Sequence, residues 1–86
     1  MPKIVNFLVD ATVLMDAYAR QHTVLVALRA LQDGVETKIR CPEFGVLMTC
    51  TKQGDKISVR AEGENSQVES FRTRIEINDP SVTEVV

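Results

Sequence analysis

His22 is the only histidine among the 86 residues of this chain, and histidine is the side chain that ordinarily changes charge near neutral pH. A carboxylate such as Asp10 or Asp16 could orient it, and the pair could then act as a general base or accept a phosphoryl group. In a continuous helix, however, positions 16 and 22 lie about 240° apart around the axis, so the two side chains would diverge. The spacing therefore predicts that His22 is a solvated surface residue, and it favours a protein that is not an enzyme.

The two cysteines, Cys41 and Cys50, offer little further chemistry. Together with one histidine they supply fewer than the four ligands that a structural zinc site needs. Cys41 has no identifiable base partner, and Cys50 is expected in the core as a small hydrophobic residue, so neither predicts nucleophilic catalysis. No glycine-rich phosphate-binding motif occurs. We therefore expect two reduced thiols, no metal and no cofactor.

The composition is typical of one folded domain. Hydrophobic residues make up 44% of the chain and charged residues 26%, which argues against disorder, and a chain of this length has no room for a second core. The 10 basic and 12 acidic residues give a net charge of −2 without a long run of one sign, so we expect no nucleic-acid partner. No signal peptide or membrane-spanning apolar stretch is recognisable, and we expect a cytoplasmic protein without a membrane partner.

The clearest structural signal is a β-hairpin between Gly45 and Gly63. Two runs of alternating apolar and polar residues flank the turn residues 53–55. Gly54 supplies the positive φ that a two-residue loop needs, whether the loop begins at residue 53 or 54. Both registers place the same apolar residues on one face of the hairpin: Val46, Met48, Cys50, Ile57, Val59 and Ala61.

The N-terminal half predicts a strand followed by helical sequence. The run Lys3–Asp10 is rich in β-branched and aromatic residues, so we expect a mostly buried strand, and its last residue is expected to cap the following helix. Residues 11–33 contain no glycine or proline and show two apolar faces at helical spacing, interrupted by the polar segment 20–23. Either one long helix carries a polar turn in its middle, or the helix begins near Ala19. Gly34 is expected to end the helix as its left-handed C-terminal residue.

The C-terminal half predicts further strands and contains one ambiguous segment. Val35–Cys41 alternates as a strand does, and a turn then leads into the hairpin. Ser66 and Glu69 fit a capping box, in which the serine caps a backbone donor and the glutamate reaches back. Within the segment 66–77, however, residues 71–77 also alternate strictly as a strand would, and helix is favoured over strand because of the capping box. Ser81–Val86 is expected to be an extended tail or an added edge strand.

These elements occur in the order strand, helix, strand, two hairpin strands and helix. An antiparallel sheet with helices packed on one face is the stable way to bury such a pattern. We therefore predict a single α+β domain over residues 1–86, a two-layer open-faced sandwich with an antiparallel sheet of about four strands and helices on one face.

The hairpin and the segment 18–26 resemble the HPr phosphocarrier family. Several hairpin positions fall at the spacing of that family: Gly45, Val46, Gly54, Ile57, Val59, Ala61 and Gly63. Residues 18–21, Tyr-Ala-Arg-Gln, are similar to the family's His-Ala-Arg-Pro active-site signature, and residues 23–26 are similar to the start of the helix behind it. The two matches cover about half of the chain, and fold resemblance alone does not fix function.

The resemblance implies a phosphocarrier of a sugar phosphotransfer system, but this chain departs from the family at the phosphorylation sites. Tyr18 stands at the position of the phosphorylated histidine, and Pro42 stands at the position of the regulatory serine. Gln21 replaces the proline of the signature. Of the residues that the resemblance assigns to phosphate, only Arg20 carries over, where it would steady a phosphoryl group.

Because successive residues of a strand point to opposite faces, Leu47 lies on the polar face of the hairpin near Phe44. A large apolar side chain there is a candidate contact for a partner. We therefore predict a small non-enzymatic protein-binding or regulatory module, a degenerate HPr-like domain. It would bind a protein partner, or a second copy in a homo-oligomer, through an exposed sheet face or edge. The predicted binding residues are Phe44, Leu47, Arg20 and Tyr18. The alternative is a phosphocarrier in which His22 replaces the lost acceptor, with Arg20 beside it.

Overall fold

The computed structural model describes residues 2–43, 45–78 and 83–85, which form strands and helices in the predicted α+β manner. In chain order the elements are β1 (Pro2–Asp10), α1 (Ala11–Ala17), α2 (His22–Arg29), β2 (Glu36–Cys41), β3 (Val46–Gln53), β4 (Lys56–Glu64), α3 (Asn65–Asn78) and β5 (Thr83–Val85). The longest of the described helices, α3, spans 14 residues. Within the part of the chain that the structure describes, no helix has the length and apolar character needed to cross a membrane.

All strands pair antiparallel in one sheet with the order β2-β3-β4-β1-β5. β2, β3 and β4 form a meander, and β1 lies between β4 and the short edge strand β5. Of the two predictions for the tail, the added edge strand is therefore correct for residues 83–85. The helices pack against one face of the sheet and share a single apolar core with it. The predicted two-layer open-faced sandwich, with about four strands and helices on one face, is confirmed.

The core lies between the inner face of the sheet and the helices. The core consists of alternate residues from each long strand and of the residues on one side of each helix. The rings of Phe7 in β1 and Phe71 in α3 meet edge to face, with their centroids 6.1 Å apart, an arrangement that aromatic pairs favour. Both side chains are fully buried, so this pair holds α3 against the centre of the sheet.

The hairpin of β3 and β4 forms as predicted. Gln53 lies opposite Lys56, so the loop consists of Gly54 and Asp55. Gly54 has a φ of +68°, and positive φ occurs only at glycines among the described residues, which is the pattern of a type II′ turn. The predicted inner-face residues are all buried: Val46, Met48, Cys50, Ile57, Val59 and Ala61. The Asp33 carboxylate accepts a hydrogen bond from the Gly54 N–H at 3.3 Å, which ties the turn to the segment between α2 and β2.

Neither prediction for residues 11–33 is correct, because the segment forms two short helices. α1 ends at Ala17, and a turn over residues 18–21 separates it from α2. At Tyr18 the backbone leaves the helical conformation, with φ −111° and ψ 18°. The Tyr18 ring enters the core, whereas the polar residues after it stay near the surface. The helix therefore ends where a large side chain enters the core and the residues after it turn to the surface.

Two predicted helix ends also differ from the structure. Asp10 precedes α1 but makes no side-chain capping hydrogen bond, because its carboxylate pairs with Lys56, its cross-strand neighbour in β4. Gly34 has the predicted left-handed φ, +77°, but α2 already ends at Arg29. The Gly34 N–H donates to the Lys52 C=O at 3.0 Å, so this glycine guides the chain into β2 and does not close the helix.

Residues 65–78 form α3, so the helix that was favoured over a strand is confirmed. The predicted capping box is wrong. The side chain that reaches back is Gln67, whose Oε1 accepts the Glu64 N–H at 3.1 Å, and the Glu69 carboxylate accepts a hydrogen bond from Lys3 in β1. The helix begins at Asn65, two residues earlier than a cap at Ser66 would require, which moves the reaching-back position to Gln67.

Candidate functional site

The helices leave the other side of the sheet uncovered, and this surface is called the outer face. Alternation along the four long strands places the following residues on it: Ile4, Asn6, Leu8, Asp10, Glu36, Lys38, Arg40, Leu47, Thr49, Thr51, Lys56, Ser58, Arg60 and Glu62. The surface combines apolar, hydroxyl and charged side chains of both signs. Such a mixture is typical of surfaces through which proteins contact other proteins.

β1 is exposed on the outer face, which corrects the prediction of a mostly buried strand. Ile4 is 47% exposed and Leu8 is 37% exposed, whereas their neighbours Val5 and Phe7 are buried. The prediction failed because a continuous apolar run is typical of a strand that is covered on both faces, and this sheet has helices on one face only. Ile4 and Leu8 are therefore binding candidates that the sequence analysis missed. The available signal was the alternation of the hairpin, which already required an uncovered face.

Leu47 lies on the outer face, as parity predicted, and is partly exposed. The strand register places it between Arg40 of β2 and Glu62 of β4, and Ile4 of β1 lies on the other side of Glu62. One row across the sheet therefore carries basic, apolar, acidic and apolar side chains in turn. Leu47 and Ile4 are two strands apart, about 10 Å, so one partner surface can contact both. Phe44, the predicted companion of Leu47, lies outside the described residues.

Thr49 occupies the centre of the outer face and is only 8% exposed. Lys38 lies opposite it on one side and Arg60 on the other, and long basic side chains cover small neighbours with their aliphatic parts. Arg60 Nε lies 3.5 Å from Glu62 Oε1 on the same strand. Exposed ion pairs of this kind contribute little to stability, so these charges can exchange partners when another protein approaches.

A second group of polar side chains meets around Glu43 at the turn after β2, and we call it the Glu43 corner. The Glu43 carboxylate accepts hydrogen bonds from Gln21 Nε2 and, at 2.9 Å, from the Arg74 guanidinium. These contacts join the turn between α1 and α2, the turn between β2 and β3, and α3. Three open depressions border Glu43, with volumes of about 480, 300 and 320 Å³.

The Glu43 corner brings together two of the predicted residues, His22 and Arg20. His22 is the first residue of α2, is exposed as predicted, and lines the largest of these depressions beside Gln21. Arg20 lines the neighbouring depression together with Asp16. Because Asp16 belongs to α1 and His22 to α2, a break in the helix, not a continuous helix, sets the positions of these two side chains.

Tyr18 is a core residue, which removes it from the predicted binding set. Its side chain is 2% exposed, and its hydroxyl donates a hydrogen bond to Met48 Sδ at 3.5 Å. Burial raises the pKa of the Tyr18 hydroxyl, and a hydrogen bond with Cys41 raises it further. The tyrosine therefore stays neutral and holds the turn between α1 and α2 on the sheet, where it is out of reach of a partner.

Cys41 and Cys50 are buried free thiols on adjacent strands. Burial raises the pKa of the Cys50 thiol to about 12, so this thiol stays protonated near neutral pH. Cys41 lies opposite Val46, four residues along β3 from Cys50, which separates the two Cα atoms by about 14 Å and prevents a disulfide. Among the residues that the structure describes, no three His, Cys, Asp or Glu side chains are grouped so that they could hold a metal ion.

Comparison with known proteins does not assign this chain to a family. A scan against family models and searches of curated proteins and of solved structures found no significant match. The likeness to the HPr family therefore rests on the sequence alone and stays a hypothesis.

Proposed function

We propose that this chain is a non-enzymatic protein-binding module whose outer face contacts a partner protein. The observation that carries the proposal is the exposure of Ile4 and Leu8, and the partial exposure of Leu47, on a sheet face that the helices leave uncovered. A partner that covers these side chains gains about 25 cal/mol for each Å² of apolar area removed from water. Burial of the outer face by a partner would therefore be favourable without any change in the fold.

The charges around the apolar residues indicate which partner surface would fit. Arg40 and Glu62 flank Leu47, and Lys38 and Arg60 stand on either side of Thr49 in the next row. A partner that places a carboxylate over the Thr49 row, with apolar side chains beside it, would match the outer face in both charge and polarity. Such complementarity sets specificity and the rate of association more than the affinity itself.

We further propose that the protein acts in the cytoplasm and has a regulatory role. The free thiols of Cys41 and Cys50 support this location, because unpaired cysteines are usual in reducing compartments. A non-enzymatic module can change the activity of another protein only by binding to it, and for this reason we propose a regulatory role.

Affinity capture from the native host, with wild-type and Leu47→Asp baits, tests the proposal. We expect a protein that wild-type bait retains and that Leu47→Asp bait retains about tenfold less, and titration of the purified partner should reproduce the difference. Val26→Asp is the control, because Val26 is 49% exposed on α2 and the same charge is then introduced away from the outer face. Equal retention by the wild-type and Leu47→Asp baits contradicts the proposal.

A second candidate function is phosphoryl transfer, with His22 as the acceptor. The favouring observation is that the exposed His22 begins α2 and that Arg20 lies in the same Glu43 corner. A helix N-terminus and a guanidinium both stabilise the negative charge of a phosphoryl group. Incubation with a phosphoenolpyruvate-driven phosphotransfer system, followed by intact mass measurement, decides this alternative. The gain of one phosphoryl group by wild-type protein but not by His22→Gln supports it, and no gain rejects it.

A further inference from the structure

We propose that β2 at the edge of the sheet pairs antiparallel with β2 of a second copy of this chain, so that two sheets join into one. The inference rests on the proposed function, because it treats the chain as a binding module, and it names a second copy as the partner at the sheet edge. The hydrogen bonds of this pairing are made by the backbone edge of β2, whereas the proposed function depends on the apolar side chains of the outer face, so the two interactions can be tested separately.

The edge of β2 is suited to strand addition. In the described part of the chain β2 pairs with β3 alone, so its other side presents backbone N–H and C=O groups along six residues. Natural sheets often protect such an edge with proline, a bulge or charged side chains. Residues 35–41 contain no proline or glycine, and their charges have both signs, so they oppose pairing only in registers that bring like charges together. Val35 at the start of the edge is 49% exposed, which adds an apolar side chain to the surface that a second strand would cover.

Two-fold symmetry limits the possible registers, because the strand must then pair with itself about one central residue. With Thr37 at the centre, Glu36 of each copy lies opposite Lys38 of the other, and both are exposed on the outer face. Opposite charges directly across a strand pair are stabilising. In the same register Val35 lies opposite Ile39 on the inner side, so polar residues meet polar residues and apolar residues meet apolar ones.

The other registers centred on residues 36–40 bring like charges together, and a centre at Arg40 places that arginine opposite itself. A centre at Lys38 places that lysine opposite itself, and a centre at Glu36 does the same for two glutamates. A centre at Ile39 places Lys38 opposite Arg40. Like charges directly opposite each other are destabilising, so the charge pattern of β2 selects the register centred on Thr37.

The edge is short, and its length sets the expected strength of association. Six residues span about 20 Å, so the interface falls at the low end of the range for specific protein contacts. We therefore expect a dimer that dissociates on dilution. Sedimentation equilibrium over a concentration series up to about 1 mM measures it.

Charge reversal tests the pairing of Glu36 with Lys38. The pair between residues 36 and 38 occurs twice in the symmetric dimer. Either Glu36→Lys or Lys38→Glu therefore creates two pairs of like charges, and we expect each variant to dimerise about ten times more weakly. An equal mixture of the two variants should form a heterodimer of wild-type strength, because every cross-strand pair is again of opposite sign. The double variant should dimerise with itself for the same reason. A wild-type protein that stays monomeric throughout the series, or a dimer that Lys38→Glu does not weaken, overturns the inference.

Arg40→Glu is the matched control, because it reverses an exposed charge on the same strand. In the register centred on Thr37, Arg40 lies opposite Gly34 of the second copy, so we expect dimer affinity to change by less than about twofold. In the register centred on Lys38, Arg40 would lie opposite Glu36, and the dimer would weaken. Weakening equal to that of Lys38→Glu therefore overturns the proposed register.

A cysteine scan provides a measurement that is independent of charge. Thr37→Cys should form an intermolecular disulfide under mild oxidation, because the two Cα atoms at the centre of an antiparallel pair lie about 5 Å apart. Lys38→Cys should not, because its two Cα atoms would be about 8 Å apart. The reverse result overturns the register, and failure of both to cross-link overturns the edge pairing.

The outcomes also separate this inference from the proposed function. A dimer that is lost with Leu47→Asp but retained with Lys38→Glu would place the second copy on the outer face, which overturns the edge pairing and leaves the outer face as a binding surface. Loss of the dimer with Glu36→Lys, combined with unchanged capture of a partner protein by the same variant, would support both proposals, because no partner contact is assigned to Glu36.

Discussion

Lys3 in β1 and Glu69 in α3 form an ion pair that connects an interior strand of the sheet to the helix packed on it. The Lys3 ammonium donates a hydrogen bond to Glu69 Oε1, and Arg72 Nη1 lies 3.6 Å from the same oxygen. The hydrogen bond from Lys3 lowers the pKa of the Glu69 carboxyl, and the charge of Arg72 acts in the same direction. The contact between β1 and α3 thus favours the ionised form of Glu69.

We predict that Lys3→Gln raises the pKa of Glu69, measured by NMR titration of its carboxyl carbon. Because the folded-state pKa lies below the unfolded value of about 4.3, Glu69 contributes stability above that value, and the contribution is lost as the pH falls through the folded pKa. Stability of the Lys3→Gln variant should therefore decline less steeply below about pH 5 than that of wild-type protein. Lys56→Gln is the control and should leave the pKa of Glu69 unchanged. A pKa that Lys3→Gln does not move contradicts the role of the pair.

Phe71→Ala should be strongly destabilising. The ring is fully buried and meets Phe7 edge to face, so its removal leaves a cavity and is expected to cost about 3–5 kcal/mol in urea unfolding. Ile77→Ala on the same helix is the comparison, because Ile77 is 72% exposed and the cost should stay within about 0.5 kcal/mol. Similar costs for the two variants would show that α3 does not pack as described.

Gly45→Ala should cost more than Gly54→Ala, although both glycines have positive φ, +69° and +68°. A Cβ at Gly54 would meet nothing within 4 Å, so the expected cost of about 1–2 kcal/mol comes from the backbone alone. A Cβ at Gly45 would lie 2.6 Å from Gln67 Nε2 and displace the side chain that accepts the Glu64 N–H, which adds the loss of a hydrogen bond.

Thermal or urea unfolding of the two glycine variants, each with and without Gln67→Ala, measures the difference. In the Gln67→Ala background the two substitutions should cost about the same. A larger cost for Gly45→Ala that persists in that background would place its cause elsewhere.

The thiols of Cys41 and Cys50 should resist modification in the native protein. The pKa of Cys50 is raised to about 12, so this thiol stays protonated at pH 8, and Cys41 is buried where a reagent does not reach it. We expect both to react with an aromatic disulfide reagent only after unfolding in denaturant. Thr23→Cys places a thiol at an exposed position of α2 and should react at once in the native state. Rapid reaction of two thiols in native wild-type protein would contradict the described core.

The elements that sequence predicted well are those whose signals are local. Alternation and one glycine define the hairpin around Gly54, and the inner faces of β3 and β4 follow from parity. The break at Tyr18 could not be predicted, because local sequence does not show that its ring is buried against the sheet. The start of α3 at Asn65 was missed because the capping box was assigned to Ser66 and Glu69, whereas Glu69 pairs with Lys3 in another element.

Prediction of the candidate site was limited in the same way: positions that follow from local sequence were predicted, and positions that depend on contacts between distant segments were not. Leu47 followed from parity within one hairpin, whereas the exposure of Ile4 and Leu8 depends on which face the helices cover. Tyr18 was assigned by likeness to a family motif, which aligns positions and does not show where a side chain points. The Glu43 corner joins three segments that are distant in sequence, so no local pattern marks it.

The position of β1 inside the sheet affects how the chain can fold during synthesis. Pro2 pairs with Glu64 and Asp10 with Lys56, so the neighbour of this strand is made long after the strand itself leaves the ribosome. Local contacts favour early formation of the meander of β2, β3 and β4. The nascent segment around Phe7 therefore lacks its partner strand until residues 56–64 have been synthesised, and its apolar side chains are open to aggregation or chaperone capture during that interval.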